Sequence, residues 1–136
     1  MQKEKIQEFT RRVSQDNRTS LIVTMYDIML TYLDEAKAAL EAEDREGFKA
    51  GLRHADRVLV QLQDSLNFKY SPADTLYALY VYCREELALA MAKQDLTGIG
   101  HAQTVLCGLR GGFAEAAAKD TSEPVSYTHL TLPTKL

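Results

Sequence analysis

Three histidines and two cysteines are the residues of this chain best suited to hold a metal or carry a nucleophilic reaction. A di-metal carboxylate centre among packed helices needs Glu-x-x-His pairs, which put both ligands on one helix face. Three residues before His54 stands Gly51, and three before His101 stands Gly98, so neither histidine has that partner. A thiol dyad of Cys83 with His54 or His101 is open on residue type alone. Both cysteines, Cys83 and Cys107, nevertheless fall inside helical patterns without CxxC spacing, and they read as small buried hydrophobes of a reducing compartment. The serines fall at helix starts, turns and polar faces, and no glycine-rich phosphate loop is present. The expectation is no catalytic residue, no metal, no cofactor and no small-molecule substrate.

The tyrosines offer a different chemistry. Tyr26, Tyr32, Tyr70, Tyr77, Tyr80 and Tyr82 precede the C-terminal stretch. A phenol combines a large apolar ring with a polar tip, which suits both core edges and protein-binding surfaces. Tyr26 and Tyr77 divide evenly between those roles, and the others read as core or rim. Asp27 reads as a solvated helix residue.

These residues have to be positioned by helices. The 136 residues suit one domain with a single core, and 46% hydrophobic and 26% charged residues are ordinary for a globular chain. No Trp, three Pro and seven Gly lean towards all-α. The net charge is −3 and the basic residues are scattered among acids, so nucleic acid is not an expected partner. The N-terminal "MQKEKIQEFTRRV" lacks the apolar core of a secretory signal, and no run approaches a membrane span. The reading is cytosolic, with no membrane partner.

Four long helical periods are legible. The first starts near Thr19 or Ser20, either able to cap it, and runs to about Ala42. Asp44 can cap the second, whose apolar row is Phe48, Leu52, Ala55, Leu59, Leu62 and Leu66. "SPAD" predicts a third start, with Ser71 as cap, Pro72 in the first turn and Asp74 at the capping-box position. Its row is Leu76, Leu79/Tyr80, Cys83, Leu87 and Ala90/Met91. Asp95 can cap the fourth, which carries Ile99, Ala102, Leu106, Leu109, Phe113 and Ala116. Gly111-Gly112 predict a bend or a stop there, since each glycine costs about 1 kcal/mol against Ala inside a helix. Residues 1–18 carry a weaker row, Ile6, Phe9 and Val13, too short to be stable undocked. Helices of roughly 20–24 residues, about 30–36 Å long, joined by short connections predict an antiparallel up-down four-helix bundle with a short N-terminal helical segment.

The first long helix has more apolar surface than one packed face requires. In "SLIVTMYDIMLTYLDEA" one row is Leu21, Met25, Ile28/Met29, Tyr32 and Ala36, and a second is Ile22/Val23, Tyr26, Leu30 and Leu33. Only Thr24, Asp27, Thr31 and Asp34/Glu35 remain for a polar seam. The third helix repeats the excess with Tyr77, Val81 and Ala88. Such surplus predicts a groove or the seat of a docked segment.

From Ser122 the character changes. "PVSYTHLTLPT" looks like a translated transposon-end and primer sequence from tagmentation libraries, so the chain is read as native to about Pro124 and artefactual beyond, with the native C-terminus lost. Residues 121–136 are expected to be an unstructured tail.

The segment "LIVTMYDIMLTYLDEA" is similar to the "LI-x-MLYDG-x-L-x-x-L-x-x-A" stretch of the flagellar secretion chaperone FliS family, and "SLNF" and "LYALYVY" resemble the junction between that family's second and third helices. The resemblance covers about residues 5–120. Three departures stand out: Ile28 replaces a glycine, "NRTS" replaces a segment with proline, and Phe9 stands for N-terminal tyrosines.

The resemblance implies a cytosolic chaperone that binds the disordered C-terminal segment of flagellin in apolar grooves and holds it for type III export. The export apparatus would be a further partner. On that reading the groove is formed by Ile22, Val23, Tyr26, Leu30, Leu33, Tyr77 and Val81, and residues 1–18 cover it through Ile6, Phe9 and Val13, with residues 19–120 as the chaperone domain. The alternative is a non-enzymatic helical module whose surplus stripes form a homodimer interface.

Overall fold

The computed structural model describes residues 1–120. It contains five helices, α1 (Lys3–Gln15), α2 (Arg18–Glu41), α3 (Arg45–Asp64), α4 (Ala73–Lys93) and α5 (Thr97–Asp120), and no β-strand among the described residues. The fold class is all-α. The expected foreign tail lies outside the described residues.

The four longer helices surround one core. α2 packs against α3 and α5, and α4 packs against the same two, so each of the four has two principal neighbours and α1 rides outside on α2. The alternating +3/+4 rows predicted for α3 and α4 are the ones buried: Phe48, Leu52, Ala55, Leu59, Leu62 and Leu66 on α3 and its C-terminal edge, and Leu76, Tyr80, Cys83, Leu87 and Ala90 on α4. Close approach of α2 and α3 depends on Gly51, where a Cβ would stand 2.9 Å from both the Ala36 Cβ and the Tyr32 carbonyl oxygen.

The helix starts correct several expectations. Asn17, not Thr19 or Ser20, caps α2, its side-chain oxygen accepting from the Ser20 N–H at 2.8 Å, while Thr19 is buried. A cap must lie outside the helix, and the start moves back to let Thr19 face the core. Asp44 caps α3 as predicted, accepting from the Gly47 N–H at 3.0 Å. At α4, Pro72 occupies the N-cap position and no side chain caps the helix. The preceding turn takes over, the Ala73 N–H donating to the Tyr70 carbonyl at 3.0 Å. Asp95 accepts from the Thr97 N–H at 3.1 Å ahead of α5.

The break predicted at Gly111-Gly112 does not occur, and α5 is continuous to Asp120. Both glycines are exposed and nothing lies within 4 Å of where a Cβ would project. Leu106 and Phe113, buried on either side of the pair, hold the helix on the core through the weak step. Propensity is a small term beside that burial.

Candidate functional site

α2 resolves its own surplus. The row Ile22, Val23, Tyr26 and Leu33 is buried in the core, where Tyr26 meets Tyr80 of α4 and Phe113 of α5. The row through Tyr32 and Ala36 faces α3, with Tyr32 stacked on His54 at 4.7 Å between ring centroids. What remains is the polar seam, and α1 sits on it.

α1 buries none of its residues fully. Its apolar row instead lines an open trough of about 400 Å³, in which Ile6, Phe9 and Val13 face Ile28 and Tyr32 of α2. Phe9 is half-buried, whereas Ile6 and Val13 stay about half exposed (50% and 45%). Polar contacts supply the registry. The Met1 ammonium lies 3.3 Å from Glu35, the Thr24 hydroxyl donates to Asp16 at 2.6 Å, and Arg12 Nη2 donates to Asp27 Oδ2 at 2.9 Å. Phe9 lies beneath the Arg12 guanidinium, 5.6 Å from ring centroid to Cζ, and so helps to aim it.

Asp27 is the hub of this arrangement. Besides Arg12 it accepts from Arg110 of α5, through Nε to Oδ1 and through Nη2 to Oδ2 at 3.2 Å. Its side chain is 19% exposed, and burial by itself would raise its pKa. Hydrogen bonds from Arg110 and Arg12 outweigh that and hold the carboxyl below its ordinary range. One carboxylate thus ties α1 and α5 to α2. The sequence reading passed over it as a solvated residue, although an acid set between apolar rows in α2 and opposite an Arg-Arg pair in the N-terminal segment was the available signal.

A second trough of about 440 Å³ runs between α3 and α4, lined by Leu52, Leu87, Ala88 and Met91 with Arg53, Arg57 and Arg84 at its edge. Arg84 spans it, donating from Nε to Asp56 at 2.7 Å and from Nη1 to Gln63 at 3.2 Å.

The proposed groove residues therefore part company. Ile22, Tyr26 and Leu33 are wholly inaccessible and Val23 nearly so, which makes them core rather than an open groove; α2 has three neighbours and its second stripe is spent on the interior. Tyr26→Asp would place a carboxylate in the core. Leu30 and Val81 are half-buried, and Tyr77 is exposed, its ring edge against Phe68 at 5.9 Å. Tyr77 and Val81 share the α4 row of Arg84 and Ala88 by their 3–4 spacing, though neither lines the second trough.

The residues considered for chemistry are dispersed. Cys83 is buried, and burial first, with the Glu86 charge second, pushes its thiol up to about 12. Cys107 is exposed, against the expectation that both cysteines are internal, because its side of α5 faces away from the core. His54 is engaged with Tyr32, and His101 Nδ1 lies 3.4 Å from Glu86. Among the described residues no three His, Cys, Asp or Glu side chains are grouped to hold a metal, and no helix is long and apolar enough to cross a membrane.

The family model for flagellar protein FliS matches residues 1–120, the whole of the described fold. The chain belongs to the FliS family. No curated protein matches it. The resemblance read over about residues 5–120 is borne out, and FliS membership makes this a flagellar export chaperone of a family not known for enzymatic activity. In FliS terms, the "MYD" triplet separates into a core tyrosine, Tyr26, and an acid, Asp27, that clasps the N-terminal helix.

Proposed function

We propose that this FliS protein works in the cytosol, binds the disordered C-terminal segment of flagellin as helices laid into apolar troughs, and so prevents premature polymerisation and holds the subunit for type III export. The four long helices serve as an antiparallel up-down four-helix bundle, the rigid part of the device. The observation that carries the reading is α1 itself: a helix seated over an apolar trough, lying on α2, with none of its residues fully buried. Such a helix is a cover that another helix can replace. The seat is made by Ile28 and Tyr32 once Ile6, Phe9 and Val13 leave it, with Asp27 as the polar clasp, and Tyr77 and Val81 stand on the α4 row of Arg84 and Ala88, which line a second trough between α3 and α4.

A disordered segment pays about 2–5 kcal/mol to order itself, which burial of roughly 1,000–3,000 Å² can offset. Isothermal titration of a flagellin C-terminal segment into the protein tests this. A saturable titration with negative heat-capacity change and a gain of helix is expected. No heat with a folded protein refutes it. The homodimer reading draws on the exposed Phe68, Tyr77, Tyr82 and Leu89, and a mass that doubles with concentration in light scattering would favour it.

A further inference from the structure

The Asp27–Arg110 pairing joins α2 to α5 and takes no group from α1. Arg12 therefore adds a second cation to a carboxylate that already has one, and it bonds Oδ2, which Arg110 Nη2 also reaches at 3.2 Å. When α1 leaves, Oδ2 loses the Arg12 bond and regains an open acceptor position, one residue before Ile28, which lines the trough. An incoming helix that covers this oxygen without donating to it would desolvate a charge left with only the longer bond from Arg110 Nη2, at 3.2 Å. α1 displays the pattern that fits: an aliphatic side chain at Ile6, an aromatic at Phe9 and a cation at Arg12, three residues apart on one helix face.

We propose that Asp27 is a specificity-determining residue that reads a cationic side chain, arginine or lysine, on the partner helix that takes the place of α1. The inference rests on the function proposed above and adds to it the chemistry the seat demands. The carboxylate acts twice, first as the clasp for the cover and then as the receptor for the cation of its replacement. An apolar helix of equal hydrophobicity but without the cation binds less well at this position, because it would bury Oδ2 with the 3.2 Å bond from Arg110 as its one remaining partner.

Two variants of the full chain separate these roles. Arg12→Gln loosens α1 and leaves Asp27 and Arg110 in place, whereas Asp27→Asn loosens α1 and also removes the anion. The probe is a fluorescently labelled flagellin C-terminal segment, followed by anisotropy, with thermal melts to confirm folding. The expected order is tightest binding by Arg12→Gln, with Asp27→Asn about tenfold weaker than Arg12→Gln, the scale of one charge-assisted hydrogen bond. Equal tightening by both variants would mean that Asp27 only holds α1, and the proposal would be overturned. If Asp27→Asn fails to fold, the arginines and lysines of the segment are changed to Gln one at a time and titrated against Arg12→Gln. One position losing about tenfold supports the proposal, and losses all under about twofold overturn it. Flat titrations with wild type and Arg12→Gln alike would instead remove the flagellin reading on which it rests.

Discussion

Tyr26 and Tyr80 place two phenol oxygens 2.6 Å apart in the middle of the core, both side chains being inaccessible to solvent. Each hydroxyl has the other as its partner, and the only buried side-chain oxygen or nitrogen left unpaired among the described residues is the Thr19 hydroxyl. Burial pushes the Tyr80 phenol up to about 12 and the Tyr26 phenol higher, so both are neutral across the physiological range. Tyr26→Phe removes one oxygen and strands the other. The loss combines a hydrogen bond with the desolvation of an unpaired group, about 1–3 kcal/mol. Tyr80→Phe costs the same for the same reason. The double variant strands nothing, and its penalty falls to within about 1 kcal/mol of wild type, since matched apolar replacement of a buried pair is close to neutral. A double-mutant cycle in urea, followed by circular dichroism with unchanged slope, should therefore show a coupling of about 1–6 kcal/mol, the two single losses together less that of the double variant. In thermal melts each kcal/mol corresponds to roughly 4 °C. Additive losses would refute the reasoning, because they would mean that each hydroxyl finds separate satisfaction.

Asp27 should give the protein an acid-sensitive joint. Its folded pKa is depressed by Arg110 and Arg12, so its contribution is complete above the unfolded value of about 3.9 and disappears as pH falls through the lower folded value. Stability curves of wild type and Asp27→Asn should converge as pH drops below about 4, and parallel curves would count against the clasp. Gly111→Ala and Gly112→Ala should each stabilise by about 0.5–1 kcal/mol in denaturant titrations, since the Cβ meets open space on a continuous helix. Gly51→Ala should destabilise, because its Cβ would press on the Tyr32 carbonyl at 2.9 Å, and a stabilised Gly51→Ala would show that α2 and α3 part freely. Amide hydrogen exchange should find α1 the fastest-opening helix and Arg12→Gln faster still, while protection of α1 equal to that of α2 would contradict a detachable cover.

Much of this protein was legible before any coordinates. Rows spaced by three and four residues mark helix faces whatever the surroundings, because helix geometry is local, and so the cores of α3 and α4 could be read from Phe48 to Leu66 and from Leu76 to Ala90. A cap such as Asp44 is equally local. The surplus of α2 was visible too, but its meaning was not. Apolar residues at Tyr26 and Leu33 look alike whether they line an open groove or the interior, and only the number of neighbouring helices decides which.

The same holds for the polar seam. Arg12 and Arg110 lie 15 and 83 positions from Asp27, and no periodicity in the chain announces that three helices bring them to one carboxylate. The helical segments, their faces and the family were therefore determined by short-range spacing and residue order, which the chain carries along its length. Tertiary packing alone decided that the second stripe of α2 is core, that α1 is held largely through polar contacts, and that Asp27 joins them. Burial and ion pairing depend on what stands opposite, and what stands opposite comes from distant parts of the chain.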